Sequence, residues 1–147
     1  MIFLENKGIH HHYEILESFE AGIVLLGWEV KTLRKKHGSL KEAYVSIDNE
    51  LWLTNAYIPL YQPEQPSHKN DDPYRKRKLL LSQKQIQDLR TALKQQGLTI
   101  VPIRMYNKGN LIKVEIAIAR GKKLYDKRKD MKERTARRDA ERAMRNG

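Results

Sequence analysis

Cysteine is absent from all 147 positions, which excludes disulfides and thiolate metal sites. That absence is typical of proteins in a reducing compartment, so we expect a cytoplasmic location. Long apolar runs are also missing. None approaches the roughly 20 residues that a membrane helix needs, and the first residues lack the charged and apolar regions of a signal peptide. We therefore expect a soluble protein that does not span a membrane.

Catalytic motifs are missing as well. The sequence has no Gly-rich phosphate loop, no GxSxG and no HExxH, and its carboxylates fall singly among lysines apart from the doublet Asp71-Asp72. Beside Pro73, this doublet is more typical of a turn than of a Mg²⁺ site. We expect neither enzymatic activity nor a cofactor.

The triplet His10, His11 and His12 is the one concentration of metal-ligand side chains. Alternate residues of a strand face opposite sides, so at most His10 and His12 could share a ligand. No cysteine or paired carboxylate lies nearby to complete a site. The triplet predicts a polar strand entrance close to a phosphate backbone rather than a metal site.

Positive charge is what the sequence has in excess. Its 29 Lys and Arg outnumber 18 Asp and Glu, for a net charge of +11 and a pI near 9.8. Such a balance indicates a polyanionic partner, and RNA, DNA or an acidic membrane surface would each serve.

Much of this charge lies in residues 120–147, which hold twelve Lys and Arg, five Asp and Glu, and Tyr125 as the sole aromatic residue. The burial of so few apolar side chains cannot offset the conformational entropy that the segment would lose on ordering. We therefore expect a tail that is disordered alone and becomes ordered on a polyanion. The first 119 residues are enough for one domain with its own core. We therefore predict a domain at 1–119 and a basic C-terminal tail at 120–147.

The first 119 residues alternate apolar and polar positions in short stretches separated by turns, with two helical patterns inserted. No βαβ unit is present, so the predicted fold class is mainly β: a small antiparallel OB-type β-barrel with two or three short inserted helices. The predicted strands are Tyr13–Glu20 with a bulge, Gly22–Gly27 after a corner at Ala21-Gly22, Ala43–Asp48, Glu50–Asn55, Tyr57–Tyr61 at an edge, Leu98–Tyr106 and Leu111–Ala119.

Two helices are predicted within this barrel. Glu29–Lys36 has a basic face and ends with Gly38 as its left-handed cap. The second helix begins after Ser82, which forms a capping box with Gln85, and stops before Gly97. A long loop, Gln62–Arg77, separates the two halves of the barrel.

Five stretches together resemble the SsrA-binding protein (SmpB) family of bacterial ribosome rescue: FEAG at 19–22, GWEVKTLR at 27–34, DPYRKRKLLL at 72–81, LTIVPIRMY at 98–106 and ARGKKLYDKR at 119–128. The resemblance extends from Asn6 to Asn146, with the motifs in the family's order. It implies an OB-type barrel that binds the tRNA-like part of transfer-messenger RNA and delivers it to stalled ribosomes for trans-translation. It also implies a tail that occupies the decoding centre and mRNA channel of the small subunit, and no chemistry by the protein itself. We expect a monomer, one copy per RNA.

The resemblance places Glu20 and Leu80 in the part of the barrel on which RNA binding depends. Alternatively, Glu20 is a strand-end carboxylate paired with a lysine, and Leu80 an ordinary core residue. A further polar and basic set is expected to contact phosphate or 2′-hydroxyl groups, or else to form a solvated basic face. This set is Asn6, His11, Lys31, Arg34, Asn55, Arg75, Arg77, Lys78 and Lys123.

Tyr125, between Lys123 and Lys127, predicts stacking on a base, with packing against the barrel as the alternative. Beyond it the spacing of charges and alanines favours a helix that is marginal alone and forms on RNA. The residues expected to act on the ribosome are Tyr125, Asp126, Lys127, Arg128, Lys132, Arg138, Arg142 and Met144. The competing function is that of a general single-stranded RNA-binding or ribosome-associated OB-fold protein, which RNA choice would distinguish.

Overall fold

The computed structural model describes residues 1–60 and 72–122. Predictions on most of the long loop, and those on Lys123 and the tail residues from Tyr125 to Met144, lie outside the described residues.

Seven strands form one antiparallel sheet in the order β1-β6-β7-β2-β5-β4-β3, and three helices accompany them. The strands are β1 Ile2–Glu5, β2 Tyr13–Ile23, β3 Tyr44–Ile47, β4 Leu51–Thr54, β5 Arg77–Leu80, β6 Leu98–Lys108 and β7 Leu111–Gly121. The helices are α1 Ile9–His12, α2 Gly27–Arg34 and α3 Gln83–Leu93. The mainly β class is confirmed.

The expected barrel is not closed by hydrogen bonds. The sheet ends at β1 and β3, which do not pair with each other in the part of the chain that the structure describes. The sheet curls so that β3 nevertheless lies against β6. Between its inner face and the helices lies the main core, whose fully buried members include Leu33, Leu40, Leu51, Leu53, Ile58, Leu89, Ile100, Met105 and Ile116.

Strand β2 differs from the prediction of two segments with a corner. Ala21 and Gly22 pair with Val114 and Lys113 in β7, so the strand runs straight through the expected corner. The predicted bulge is confirmed as a register shift between Ile15 and Glu17. The second predicted segment, Gly22–Gly27, is wrong beyond Ile23 because Gly27 already begins α2.

The predicted helices are confirmed with changes at their ends. Ser82 Oγ accepts from Gln85 N–H at 3.2 Å, as the capping box requires. After α2, however, Lys36 adopts the left-handed conformation with φ 60°, so Gly38 is not the cap. Gly38 has φ 140° because of a close approach: a Cβ there would lie 2.7 Å from the Tyr57 carbonyl oxygen.

The triplet His10–His12 lies in α1 rather than at a strand entrance. Helix α1 covers a second, small cluster in which Ile9 packs with Val101 and Ala119.

Tyr57 makes only an isolated bridge to Ser39, so the expected strand from Tyr57 is absent as far as Leu60. Strand β7 continues to Gly121, two residues past the predicted domain boundary, and Lys122 N–H then donates to His12 O at 2.9 Å.

Candidate nucleic-acid interface

A row of four paired residues crosses the sheet on the side away from the core. Leu80 of β5 pairs with Gly22 of β2, Gly22 with Lys113 of β7, and Lys113 with Tyr106 of β6. Directly paired residues of adjacent strands project to the same face. A second row runs beside it from Glu20 through Glu115 to Arg104. We call the surface formed by these seven residues, together with Lys78 and Lys108, the outer face.

Glu20 is held in place by two neighbours on β6. Tyr106 Oη donates to Glu20 Oε2 at 2.8 Å, and Lys108 Nζ lies 3.1 Å from Oε1. The hydrogen bond from Tyr106, then that from Lys108, lowers the pKa of the Glu20 carboxyl. Desolvation, and then the bond to Glu20, raises the pKa of Tyr106 to about 12. Glu20 is therefore paired with a lysine, as the alternative for this residue described. Its side chain remains 38% exposed, near the two cations Lys108 and Lys113.

Leu80 is not the ordinary core residue that the sequence left open. Half of it, 50%, is exposed. It can lie flat on the sheet because Gly22 opposite it has no side chain, and a Cβ on Gly22 would come within 3.3 Å of Leu80 Cβ. An exposed leucine on a polar, positively charged face provides an apolar contact for a partner.

Lys78 lies on the same face, two residues before Leu80, and pairs with Trp52 of β4. Its Nζ is 3.1 Å from Glu50 Oε1, with both side chains more than two fifths exposed. Such an exposed ion pair contributes little to stability and is readily exchanged for another anion. Lys76 Nζ lies 6.0 Å from the Trp52 ring centroid, which adds a second cation beside this ring.

Arg77 requires a correction. It was expected to contact phosphate, or to lie on a solvated face, yet it is completely buried. Its Nε lies 2.6 Å from Oε2 of the equally buried Glu29, and Arg75 binds the same carboxylate. Burial lowers the pKa of Arg77, an effect that the charge of Glu29 opposes. A guanidinium enclosed in this way cannot reach an RNA phosphate.

The other predicted residues lie apart from the outer face or serve the fold. Asn6 Nδ2 donates to Pro102 O at 2.9 Å, and Asn55 Nδ2 to Glu42 O at 3.3 Å, so both amides anchor loops. His11 is exposed on α1, and Lys31 and Arg34 are exposed on α2. Their RNA contacts stay predictions.

Sequence reasoning missed Tyr106, Lys108 and Lys113. The signal was present: in β7, Lys113 alternates with the buried Val114, and in β6 Tyr106 follows the buried Met105. Alternation alone, however, does not say which strands are neighbours.

Within the described ranges no three His, Asp or Glu side chains come close enough to hold a metal ion, and no helix is long and apolar enough to cross a membrane.

Comparison with known proteins decides the family. The SmpB protein family profile matches residues 3–146. The chain belongs to the SmpB family. SsrA-binding proteins similar to it include that of Carboxydothermus hydrogenoformans, 45% identical over 98% of this chain and 96% of the relative. That of Sulfurihydrogenibium is 50% identical over 94% and 90% of the two chains.

A solved SmpB structure has a similar fold. It is described as tmRNA-SmpB at the center of the bacterial ribosome, and the two chains align with a TM-score of 0.66 and 45% identity over 82% of this chain and 84% of that one. The resemblance read from five short motifs therefore extends through nearly the whole SmpB chain and its fold.

Proposed function

We propose that the protein binds the tRNA-like part of transfer-messenger RNA through its outer face and delivers that RNA to stalled ribosomes for trans-translation. The observation that carries the proposal is the match to the SmpB family over residues 3–146. The SmpB family member solved in a tmRNA complex at the bacterial ribosome supports both partners. We further propose that the protein acts in the cytoplasm as a monomer, one copy per RNA, and catalyses no reaction.

The chemistry of the outer face suits a folded RNA. Lys113, Lys108 and Lys78 supply cations for phosphates, and the Glu20 carboxylate can accept a hydrogen bond from a 2′-hydroxyl group. Leu80 adds an apolar contact between these polar groups. A rigid sheet holds all five side chains in a fixed pattern, which favours the recognition of shape over that of a flexible single strand.

The tail completes the proposal. Residues 123–147 carry Tyr125 with basic neighbours, and we propose that they enter the decoding centre and mRNA channel of the small subunit. Tyr125, Asp126, Lys127 and Arg128 would act first, followed by Lys132, Arg138, Arg142 and Met144. The outer face and the tail would thus bind two different RNAs at once.

RNA choice tests the proposal. The affinity of the full chain for the tRNA-like fragment is compared, at one salt concentration, with that for an unstructured RNA of equal length. We expect a clear preference for the folded RNA. Lys113→Gln should reduce the magnitude of the slope of log affinity against log salt by roughly 1, because one phosphate contact is lost. Lys84→Gln on α3, away from the outer face, should leave that slope unchanged. Equal affinity for both RNAs would instead indicate a general single-stranded RNA-binding protein.

A further inference from the structure

Two of the motifs that indicated the family meet at one buried carboxylate. Glu29, in GWEVKTLR, is 0% exposed, and so is Arg77, in DPYRKRKLLL. Glu29 Oε1 accepts from Leu26 N–H at 2.7 Å and from Arg75 Nη2. Its Oε2 accepts from Arg77 Nε at 2.6 Å and from Arg75 Nε at 3.1 Å. The carboxylate thus binds the start of α2 and both arginines that precede or begin β5.

Arg77 extends this network to two further segments. Its Nη1 donates to Ala56 O at 2.7 Å and its Nη2 to Pro73 O at 3.0 Å. One guanidinium therefore joins α2, the residues after β4 and the residues before β5. Five donors in a rigid plane make this possible, whereas the ammonium of a lysine could not reach three such acceptors at once.

Strand β5 needs such support because its ladders are short. It pairs with β2 only at Gly22 and Ile23, and with β4 at three positions. Lys78 and Leu80, which this strand contributes to the outer face, directly follow Arg77 and the buried Leu79. A shift of Arg77 along or across the strand would displace Leu80 from the row that Gly22 and Lys113 continue, and Lys78 from its place on the same face.

We propose that Glu29 is a positioning residue for RNA binding: through Arg77 and Arg75 its carboxylate fixes the start of β5 and so holds Lys78 and Leu80 in place on the outer face. The role depends on the RNA binding proposed above. It joins two stretches of the chain through Glu29 and Arg77, which are 48 positions apart.

Two substitutions disturb the positioning without changing any residue of the outer face. Arg77→Lys keeps the charge and loses the fork, and Glu29→Gln keeps the size and loses the charge. We expect each to weaken binding of the tRNA-like RNA by about tenfold, Arg77→Lys because an ammonium replaces the planar fork, and Glu29→Gln because two arginines lose their counter-charge. Displacing Lys78 also removes its phosphate contact, so each variant should reduce the magnitude of the salt slope by roughly 1, as Lys78→Gln does.

Loss of stability alone must be distinguished from loss of position. Leu89→Ala opens a cavity in the core beneath α3, whose main strand contact is β6, and serves as a matched destabilised control. Affinities are measured well below the melting temperature of each variant, with folding checked by circular dichroism. Should Glu29→Gln fail to fold, Arg77→Lys, which retains both charges, provides the comparison.

Positioning is supported if Arg77→Lys loses affinity but adds no further loss in a chain that already carries Lys78→Gln and Leu80→Ala, while Leu89→Ala, at equal or lower stability, binds normally. Wild-type affinity in Arg77→Lys would overturn it, and so would an equal loss of affinity in Leu89→Ala. An equally large further loss from Arg77→Lys in the chain with Lys78→Gln and Leu80→Ala would also overturn it, because Arg77 would then act through other residues. If the unsubstituted chain itself shows no preference for the tRNA-like RNA, the proposed function fails. If Lys78→Gln weakens binding but Arg77→Lys and Glu29→Gln do not, only the positioning role fails.

Discussion

Tyr106 on β6 donates its hydroxyl to Glu20 on β2 at 2.8 Å, across the intervening strand β7. The contact joins residues that are 86 positions apart in the chain. It links a carboxylate that the family resemblance indicated to a tyrosine that the sequence pattern did not.

Replacing Glu20 should change the titration of Tyr106. In Glu20→Gln we expect the pKa of Tyr106 to fall from about 12 towards its ordinary value of 10.0, though not the whole way, because desolvation is the larger cause and remains. Tyrosinate absorbance or the ring NMR signals would follow the titration. Glu17→Gln, in the same strand but five positions from the Tyr106 row, is the control and should leave this pKa unchanged.

The same contact should depend on pH at both ends of the scale. Folding lowers the pKa of Glu20, so its contribution to stability is present above the ordinary carboxyl pKa and disappears as the pH falls through the lowered value. Folding raises the pKa of Tyr106, so its contribution is present below pH 10.0 and disappears as the pH rises through about 12. Tyr106→Phe should raise the pKa of Glu20, measured by NMR; no change would show that the hydrogen bond does not form in solution.

Leu80 should matter for RNA binding more than for stability. Because Leu80 is half exposed, we expect Leu80→Ala to cost less than about 1 kcal/mol of folding free energy while clearly weakening binding of the tRNA-like RNA. Leu111→Ala, at the exposed leucine that begins β7, is the matched control and should change neither. Similar RNA affinities for the two variants would exclude an apolar contact at Leu80.

Cutting the chain after Lys122 tests the division between domain and tail. We expect residues 1–122 to fold and to bind the tRNA-like RNA nearly as tightly as the full chain, because the outer face lies wholly within them. The cut is placed there, rather than after residue 119, because β7 runs to Gly121 and Lys122 N–H binds His12 O. Loss of most of the affinity at fixed salt would mean that the tail holds the RNA.

The tail should carry the ribosomal part of the function. Replacing Asp126, Lys127 and Arg128 together by alanine should leave binding of the tRNA-like RNA largely intact but abolish rescue of ribosomes stalled without a stop codon. Peptidyl transfer to the rescue RNA on a stalled complex would measure this. A second variant, in which Lys132, Arg138 and Arg142 are replaced by alanine, removes three cations further along the tail. Comparing rescue by the two variants shows whether the number of charges or their position in the tail matters. Normal rescue by the first triple variant would reduce the tail to an electrostatic accessory.

Local signals in the sequence were read correctly where a few consecutive residues contain the whole interaction. Ser82 and Gln85 cap each other three positions apart, so helix α3 could be predicted with its first residue. The hairpins β3-β4 and β6-β7 follow from alternation on either side of short turns. The ordered motifs likewise sufficed for the family, and the basic composition for a polyanionic partner.

The segment after Ile23 was misread because Val24, Leu25 and Leu26 look like a buried strand. The Leu26 N–H instead donates to the Glu29 carboxylate, and this cap begins α2 at Gly27, two residues before the predicted start at Glu29. Before the helix, Leu25 still packs against the main core although Val24 is 48% exposed, so hydrophobicity alone could not choose between the two structures.

What the sequence by itself determined is therefore the two longer helices, the two hairpins, the family and the sign of the partner's charge, since each depends on neighbouring residues or on totals. Only the tertiary structure decided that Leu80, Gly22, Lys113 and Tyr106 form one row, because strand order and register bring together residues from four distant segments. The same holds for Arg77. In the sequence it is one more cation in a basic run, and it becomes a buried support because Glu29, 48 positions away, supplies the charge that makes its desolvation tolerable.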